Sequence, residues 1–335
     1  MKCIYCGTQN ANSESHIIPE AFGKGPVLKS GVCEKCNHKI NEEFEQYIIR
    51  KLSFIRNFLQ LKGKRNKRPP IDIETSYQGD IFKISIRDPR DFDKGLFAFE
   101  RMDRSGQVER IAFLSPDKEQ LEQAKTSYEK SHPGTKWTEI SEEDIKDELI
   151  LQVYFDFGIF ADERMLRLIA KIALEWYCSK RDPEIVIDPD FEDVRKYIRF
   201  GEKPSYPIVS VVSNKNILRH FEPIPFGIHA LFIGADPINT DLVSIVGIYS
   251  LVFFKVILNR RFRALANIED LATVNPQTGI VYEPVIRGSL APGPNISGKD
   301  KSDFIDPAVA LNSMKDELLG RFNKGISRIK SANQI

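Results

Sequence analysis

The sequence lacks a hydrophobic stretch long enough to cross a membrane as a helix. Its most apolar segment, residues 242–258, is 17 residues long, contains Lys255 and is interrupted by Gly247, whereas a membrane-spanning helix needs about 20 apolar residues. We therefore predict that this segment forms buried strands. The first residues hold a cysteine pair instead of a charged and then apolar leader, so we expect no signal peptide and a soluble, cytoplasmic protein with no membrane partner.

The sequence also lacks a nucleotide-binding glycine loop, a cofactor motif and an internal repeat. The segment GPVLKSG contains Lys-Ser, but the glycine that directly precedes the lysine of a phosphate-binding loop is missing. With 335 residues, of which 41% are hydrophobic, the chain is long enough for two or three domains with buried cores. These absences leave the cysteines as the main chemical signal.

Cysteine is almost absent after residue 36. Four of the five cysteines form two Cys-x-x-Cys pairs, Cys3/Cys6 and Cys33/Cys36, with 26 residues between them, and the fifth, Cys178, lies in an apolar segment where we expect it to be buried. In a reducing cytoplasm such pairs rarely form disulfides, and two pairs that meet supply four thiolates to a tetrahedral zinc ion. We predict a structural Zn²⁺ site, with redox thiols as the alternative. Loss of the zinc should unfold the N-terminal finger and leave the rest folded.

Between the two cysteine pairs stands His16, in an apolar run that ends at Pro19. This run predicts a strand followed by a glycine-bearing loop. After Cys36, apolar residues recur at helical spacing and predict a helix with one apolar face, formed by Ile40, Phe44, Ile48, Leu52, Ile55 and Leu59. The predicted order is zinc knuckle, strand with His16, loop, knuckle, helix.

This order resembles the HNH endonuclease family over about residues 1–60, through the two cysteine pairs, the string HIIP and the string CEKCN. The resemblance implies a ββα-metal finger in which His16 is the general base for water that attacks a phosphodiester. It also implies that Asn37 and Asn41, one helical turn apart, bind a catalytic Mg²⁺ or Mn²⁺. An imidazole that titrates near neutral pH and oxygen ligands for a hard cation suit these roles.

The resemblance further implies the function of a metal-dependent endonuclease that cuts DNA. Many members of the family occur in bacterial anti-phage or mobile-element systems, and we take that setting as a family-level expectation. A catalytically inactive HNH-like finger, used to bind nucleic acid or protein, is the alternative.

Two positions depart from the family pattern and keep that alternative open. Ser15 stands where the family usually has an acidic residue or histidine that binds metal. Glu14 replaces that ligand only if the backbone bulges there, because Glu14 and His16 share one strand face and Ser15 the other; Glu20 is another candidate carboxylate. Leu28 stands near the position of an asparagine that orients the histidine.

Each candidate site residue also has a structural reading. A histidine in an apolar strand is often a core residue, and His16 could be one. Asn37 and Asn41 could cap the helix N-terminus, a role that suits asparagine. His38 could replace Asn37 as a ligand by a shift of one residue, although we expect a solvated helix residue there.

Charge is unevenly distributed along the chain, although the net charge is only +1. Residues 1–68 hold 13 Lys/Arg and 6 Asp/Glu, and no acidic residue occurs from Gln46 to Arg68. Basic, flexible segments supply phosphate contacts and hence non-specific affinity for DNA. We predict DNA contact by Lys62, Lys64, Arg65, Lys67 and Arg68, with a solvated linker as the alternative.

The remainder of the chain predicts a mixed α+β structure. We expect strands within residues 82–86, 95–103, 107–114 and 206–258, and helices within residues 116–131, 162–178, 191–200 and 306–329. His220 and His229 sit among apolar residues and are predicted to be structural. The predicted fold class is α+β, with an N-terminal zinc-braced ββα-metal finger followed by a larger mixed α+β domain.

The predicted domains are a nuclease-like finger at 1–62, a basic linker at 63–71 and a recognition or regulatory domain at 72–335. The large domain has a candidate subdomain break near 160–205. We expect a protein partner or a signal to act through it.

Overall fold

The chain divides into two compact units, one formed by Met1–Leu52 with Phe157–Ile335 and the other by Ser53–Asp156. The structure is a computed structural model that describes residues 1–62, 69, 71–77, 80–86, 97–102, 108–114, 118–138, 150–152, 157–213, 221, 224–235, 241–260 and 270–283. The sequence predicted boundaries at residues 62 and 71, which stay a prediction, and did not anticipate that the first 52 residues group with the chain after residue 156.

The N-terminal segment forms a ββα arrangement. Strand β1 (Ser13–His16) pairs antiparallel with β2 (Val27–Val32), and α1 (Glu34–Ile40) runs through a π-helical turn (Asn41–Glu45) into α2 (Gln46–Lys51). The predicted order of strand, loop and helix is confirmed. The helix begins earlier than predicted, because Cys33 is already its N-cap residue and the second cysteine pair forms its first turn.

The π-helical turn explains the spacing of the predicted apolar face, whose members are all buried. In an α-helix four residues advance about 400°, or about 40° beyond a full turn, so repeated steps of four would carry apolar residues off one face. The wider turn at Asn41–Glu45 takes up that drift between Ile40 and Ile48. Such turns are rare and occur frequently at functional sites.

The unit Ser53–Asp156 is built on an antiparallel sheet. Its described elements are α3 (Ser53–Phe58), β3 (Ile71–Tyr77), β4 (Asp80–Ile86), β5 (Phe97–Met102), β6 (Val108–Leu114), α4 (Lys118–Ser131) and β7 (Ile150–Gln152). The strands lie in the order β6-β5-β4-β3-β7. The predicted strands and the polar helix of this region are confirmed, and the predicted turn between β5 and β6 lies outside the described residues.

The chain after residue 156 packs around one long helix. Its described elements are α5 (Glu163–Lys180), α6 (Glu192–Phe200), β8 (Val209–Val211), β9 (His229–Ala235), β10 (Leu242–Ile248), β11 (Val252–Asn259), β12 (Asp270–Val274) and β13 (Val281–Tyr282). The strands form an antiparallel sheet in the order β13-β12-β9-β10-β11-β8. Short 3₁₀ turns lie at Phe157–Ala161, Pro183–Ile187 and Pro189–Phe191.

Helix α5 lies between this sheet and the N-terminal finger. It contacts β8, β9, β10 and β11 of the sheet, and it contacts β2, the π-helical turn and α2 of the finger. All residues from Leu168 to Cys178 are buried, as expected of a helix with partners on every side. The finger and the sheet therefore share one core, with α5 at its centre.

The other predictions for this region are largely confirmed. The strands β10 and β11 are buried along their whole length, and Cys178 is buried in α5. Among the described helices, none combines the length and the apolar character that a membrane span needs. The helix predicted within 306–329 lies outside the described residues.

Candidate active site and metal centre

The four N-terminal cysteines come together. Their sulfur atoms lie within 4.8 Å of one another, and the sulfurs of Cys6 and Cys33 are 3.7 Å apart. A disulfide would need about 2.05 Å, whereas two sulfurs on a tetrahedral zinc, each about 2.3 Å from the metal, lie about 3.8 Å apart. The backbone N–H of Cys33 donates to the sulfur of Cys3 at 3.4 Å. The donor set fits a closed, structural Zn²⁺ site.

The thiols of this cluster differ in acidity. A hydrogen bond from Cys36 lowers the pKa of the Cys3 thiol to about 4, against the opposing effect of burial. The same hydrogen bond and burial raise the pKa of Cys36, and burial raises the pKa of Cys33. Because zinc ligation requires thiolates, metal binding here entails the loss of protons from Cys33 and Cys36.

Strand β1 presents His16 to solvent. Side chains alternate along a strand, and here Glu14 and His16 are exposed whereas Ser15 is buried. The core reading of His16 is therefore wrong. Ser13 pairs with Val32 and Ser15 with Leu28, so the ladder is irregular at Glu14, and the extra residues lie on β2. Glu14 and His16 thus share an open face beside a bulge.

Asn37 ties the helix to β1. Its Nδ2 donates to the Ser13 hydroxyl and to the Glu14 carbonyl, each at 2.9 Å, so Oδ1 is the atom of this side chain that could bind an ion. Asn41 lies in the π-helical turn, where its Oδ1 accepts from Gln46 Nε2 at 3.0 Å. The N-capping alternative is wrong for both, because the helix begins at Glu34.

The remaining sequence candidates lie at the surface or outside the described residues. His38 is exposed and its Nδ1 lies 3.2 Å from the Glu42 carboxylate one turn on, as expected of a solvated helix residue. Glu20 lies exposed in the short 3₁₀ turn Glu20–Phe22. Lys62 is exposed. Four basic candidates lie outside the described residues, namely Lys64, Arg65, Lys67 and Arg68.

His229 is structural, as predicted. It is fully buried, its Nδ1 accepts from the backbone N–H of Tyr249, and its Nε2 lies 3.3 Å from the Phe22 carbonyl. Burial lowers the pKa of His229 to about 4, so the ring is neutral at pH 7. The Tyr249 hydroxyl also donates to the Phe22 carbonyl at 3.2 Å. Together these side chains fix the loop that follows β1. His220 lies outside the described residues.

Two buried charged residues of α5 reach the finger and were missed by the sequence analysis. Lys171 Nζ donates to the backbone carbonyl of His16 and, at 3.4 Å, to that of Ile17. Glu175 accepts from the hydroxyls of Ser15, at 2.9 Å, and Tyr5, at 2.8 Å. A lysine and a glutamate four residues apart in a helix that is otherwise apolar all round could have signalled a buried pair.

Lys171 is held as an ammonium by two carboxylates. Its Nζ lies 3.1 Å from Glu45 and 3.2 Å from Glu175. Burial alone would lower the pKa of Lys171, but these neighbours raise it above its ordinary value. Burial raises the pKa of Glu175, and Lys171, Tyr5 and Ser15 oppose that shift.

The two-stranded ladder, the helix that follows it and the cysteine cluster define a zinc-binding finger of the ββα type. Residues 3–53 match the family model described as HNH endonuclease; the matched segment holds both cysteine pairs, β1, β2 and the helix. This region is therefore an HNH domain, and the family is one of nucleases. No curated protein and no solved structure matches the chain.

Proposed function

We propose that the protein is a metal-dependent endonuclease that hydrolyses phosphodiester bonds in DNA, with His16 as the general base. The observation that carries the proposal is the exposed position of His16 on β1, within a region that matches HNH endonucleases. A general base must lie within hydrogen-bond reach of the proton that it removes. An imidazole that faces solvent from a strand with a fixed backbone meets that requirement.

In this proposal the chain supplies a base and a set of oxygen donors. His16 takes the proton of the attacking water, and Asn37 holds the preceding residues of β1 in place. The candidate ligands for Mg²⁺ or Mn²⁺ are Glu14, Asn37 and Asn41, whose oxygen atoms suit a hard cation. When bound, such an ion polarises the scissile phosphate and stabilises the leaving oxygen.

The basic segment contributes DNA affinity in the same proposal. It comprises Lys62, Lys64, Arg65, Lys67 and Arg68, which follow a stretch without acidic residues, and phosphate contacts of this kind do not depend on base sequence. A recognition or regulatory role of the large domain, a protein partner or signal, and a setting in anti-phage defence or mobile elements rest on the family resemblance.

The test is a plasmid-cleavage assay with Mg²⁺ or Mn²⁺. We expect His16→Ala to lower the rate by about 10²–10⁴, the usual cost of losing a general base, with zinc content and DNA affinity unchanged. His38→Ala is the matched control, because His38 is also exposed but lies on the helix and pairs with Glu42; its rate should equal that of the wild type. Cleavage by His16→Ala at the wild-type rate would contradict the assignment.

One observation favours the alternative, an inactive finger that binds nucleic acid or protein. Ser15 lies buried against Glu175, so the residue directly before His16 is not available as a metal ligand. A wild-type protein that binds DNA but cleaves none with either ion would support this alternative.

A further inference from the structure

Helix α5 belongs to the chain after residue 156, yet its central turn is built against the strand that carries His16. Lys171 and Glu175 are one turn apart on the face of α5 that meets the finger, and both are buried, with 1% and 0% exposure. Their hydrogen bonds and ion pairs reach three parts of the finger, which are the first zinc knuckle, β1 and the π-helical turn.

The contacts of Lys171 and Glu175 converge on consecutive residues of β1. Glu175 accepts from the Ser15 side chain through both carboxylate oxygens, and Lys171 donates to the carbonyls of His16 and Ile17. From the other side, Asn37 donates to the Glu14 carbonyl. The backbone is thus held before, at and after His16, while the imidazole itself remains exposed.

Stability alone does not account for this pair. Removing charges from water is costly, and replacing a buried ion pair by apolar residues of similar volume is often neutral or stabilising. An apolar pair at residues 171 and 175 could fill the same space in α5, but it could not accept from Ser15 or donate to the carbonyl of His16. The property specific to the charged pair is the direction in which it holds β1.

We infer that Lys171 and Glu175 are positioning residues that fix the His16 strand for catalysis, so that the helix after residue 156 completes the HNH site. The inference rests on the proposed role of His16 as general base. Catalytic groups act only when held close to the productive geometry, and a displacement of about 1 Å can cost about 10²-fold in rate.

The test compares two changes in the same interface. Lys171→Met with Glu175→Gln neutralises both charges together and removes the donor to β1, so neither is left as a buried, unpaired charge. The matched control is Arg167→Met, one turn earlier on α5. Arg167 also joins α5 to the finger, through Glu43 at 2.8 Å and by lying over the Phe44 ring, but these contacts do not involve β1.

Two measurements are made on the full-length, zinc-loaded protein. The first is DNA cleavage, in which we expect the double variant to lose about 10–100-fold in kcat at unchanged KM, and Arg167→Met to keep kcat. The second is the imidazole ¹³C–¹H spectrum, in which the chain gives five histidine signals and His16→Ala identifies that of His16. We expect this signal to shift in the double variant and to stay in place in Arg167→Met.

The inference is overturned if the double variant retains zinc and the wild-type melting temperature and leaves both kcat and the His16 signal unchanged. It is also overturned if Arg167→Met alters both to the same extent, since docking in general would then be responsible. Should the wild type cleave no DNA, the proposed function fails, and the His16 signal still decides whether this pair positions the residue.

Ser15→Ala keeps the test decisive if the double variant does not fold. This change removes one hydroxyl and leaves Lys171 and Glu175 paired. A smaller shift of the His16 signal, with a several-fold fall in kcat, supports the inference, and an unchanged signal overturns it.

Discussion

Gly23 allows the loop after β1 to approach the turn between β12 and β13 closely. Its φ of 124° and ψ of 179° fall in a region open essentially to glycine alone. An added Cβ would lie 2.2 Å from the Cβ of Pro276. The next residue, Lys24, donates its backbone N–H to the Pro276 carbonyl at 2.7 Å, so the approach is a fixed contact between finger and sheet.

We expect Gly23→Ala to destabilise the protein by at least about 3 kcal/mol, because backbone strain and overpacking act together. Gly201→Ala is the matched control, since Gly201 has a φ of +71° but an added Cβ would make only an ordinary contact with Arg167 at 3.9 Å. It should cost about 1–2 kcal/mol, the conformational penalty alone. Equal losses in denaturant titrations of the two variants would show that the contact with Pro276 does not matter.

Single residues show where sequence reasoning succeeds and where it stops. The cysteine cluster and the exposed face shared by Glu14 and His16 follow from local spacing and strand alternation, and the structure agrees with both. The role of Ser15 does not follow, because its partner Glu175 is 160 residues away. A departure that looks like a lost metal ligand is a buried anchor.

At the scale of elements, the zinc knuckles connect the cysteine cluster to the rest of the finger. Tyr5, inside the first pair, donates to Glu175 of α5, and the second pair forms the first turn of α1. The sequence predicts this helix from its apolar spacing but places its start too late. The N-cap is Cys33 rather than one of the usual Ser, Thr, Asp or Asn residues, so the usual start signal is missing.

We expect Cys33→Ser to lose the bound zinc and to lower the melting temperature by about 10 °C or more, because each kcal/mol shifts it by only about 2–4 °C at this size and structural zinc contributes several kcal/mol. Cys178→Ala is the control, since Cys178 is buried in α5 away from the cluster; its zinc content should equal that of the wild type. Elemental analysis and thermal denaturation check both variants. A full complement of zinc in Cys33→Ser would refute a four-cysteine site.

At the scale of the whole molecule, the first 52 residues share a compact unit with the chain after residue 156. Three contacts join them, namely the α5 pair with β1, His229 and Tyr249 with the Phe22 carbonyl, and Pro276 with Lys24. Periodicity identifies faces of helices and strands but not the partners that cover them. The sequence therefore predicts a finger and a body, and cannot predict that α5 is the core of both.

This shared core changes the expected response to zinc removal. From the sequence alone, loss of zinc unfolds the finger and leaves the rest of the chain folded. With the finger displaced, however, Lys171 and Glu175 of α5 would lose Ser15, Tyr5 and the carbonyl of His16 as partners, and a buried charge without its partners costs several kcal/mol. We therefore expect α5 to become less stable when the metal is chelated.

Hydrogen exchange on the full-length protein, with and without a zinc chelator, measures this directly, since local opening free energies differ between cooperative units. Exchange should accelerate in β1 and β2 and also in α5, whereas α4 in the other unit should keep its rate. Acceleration confined to the first 52 residues would instead establish the finger as a separate domain. Acceleration that includes α5 would mean that metal binding, the His16 strand and the helix after residue 156 act as one cooperative unit, as the buried contacts of Lys171 and Glu175 require.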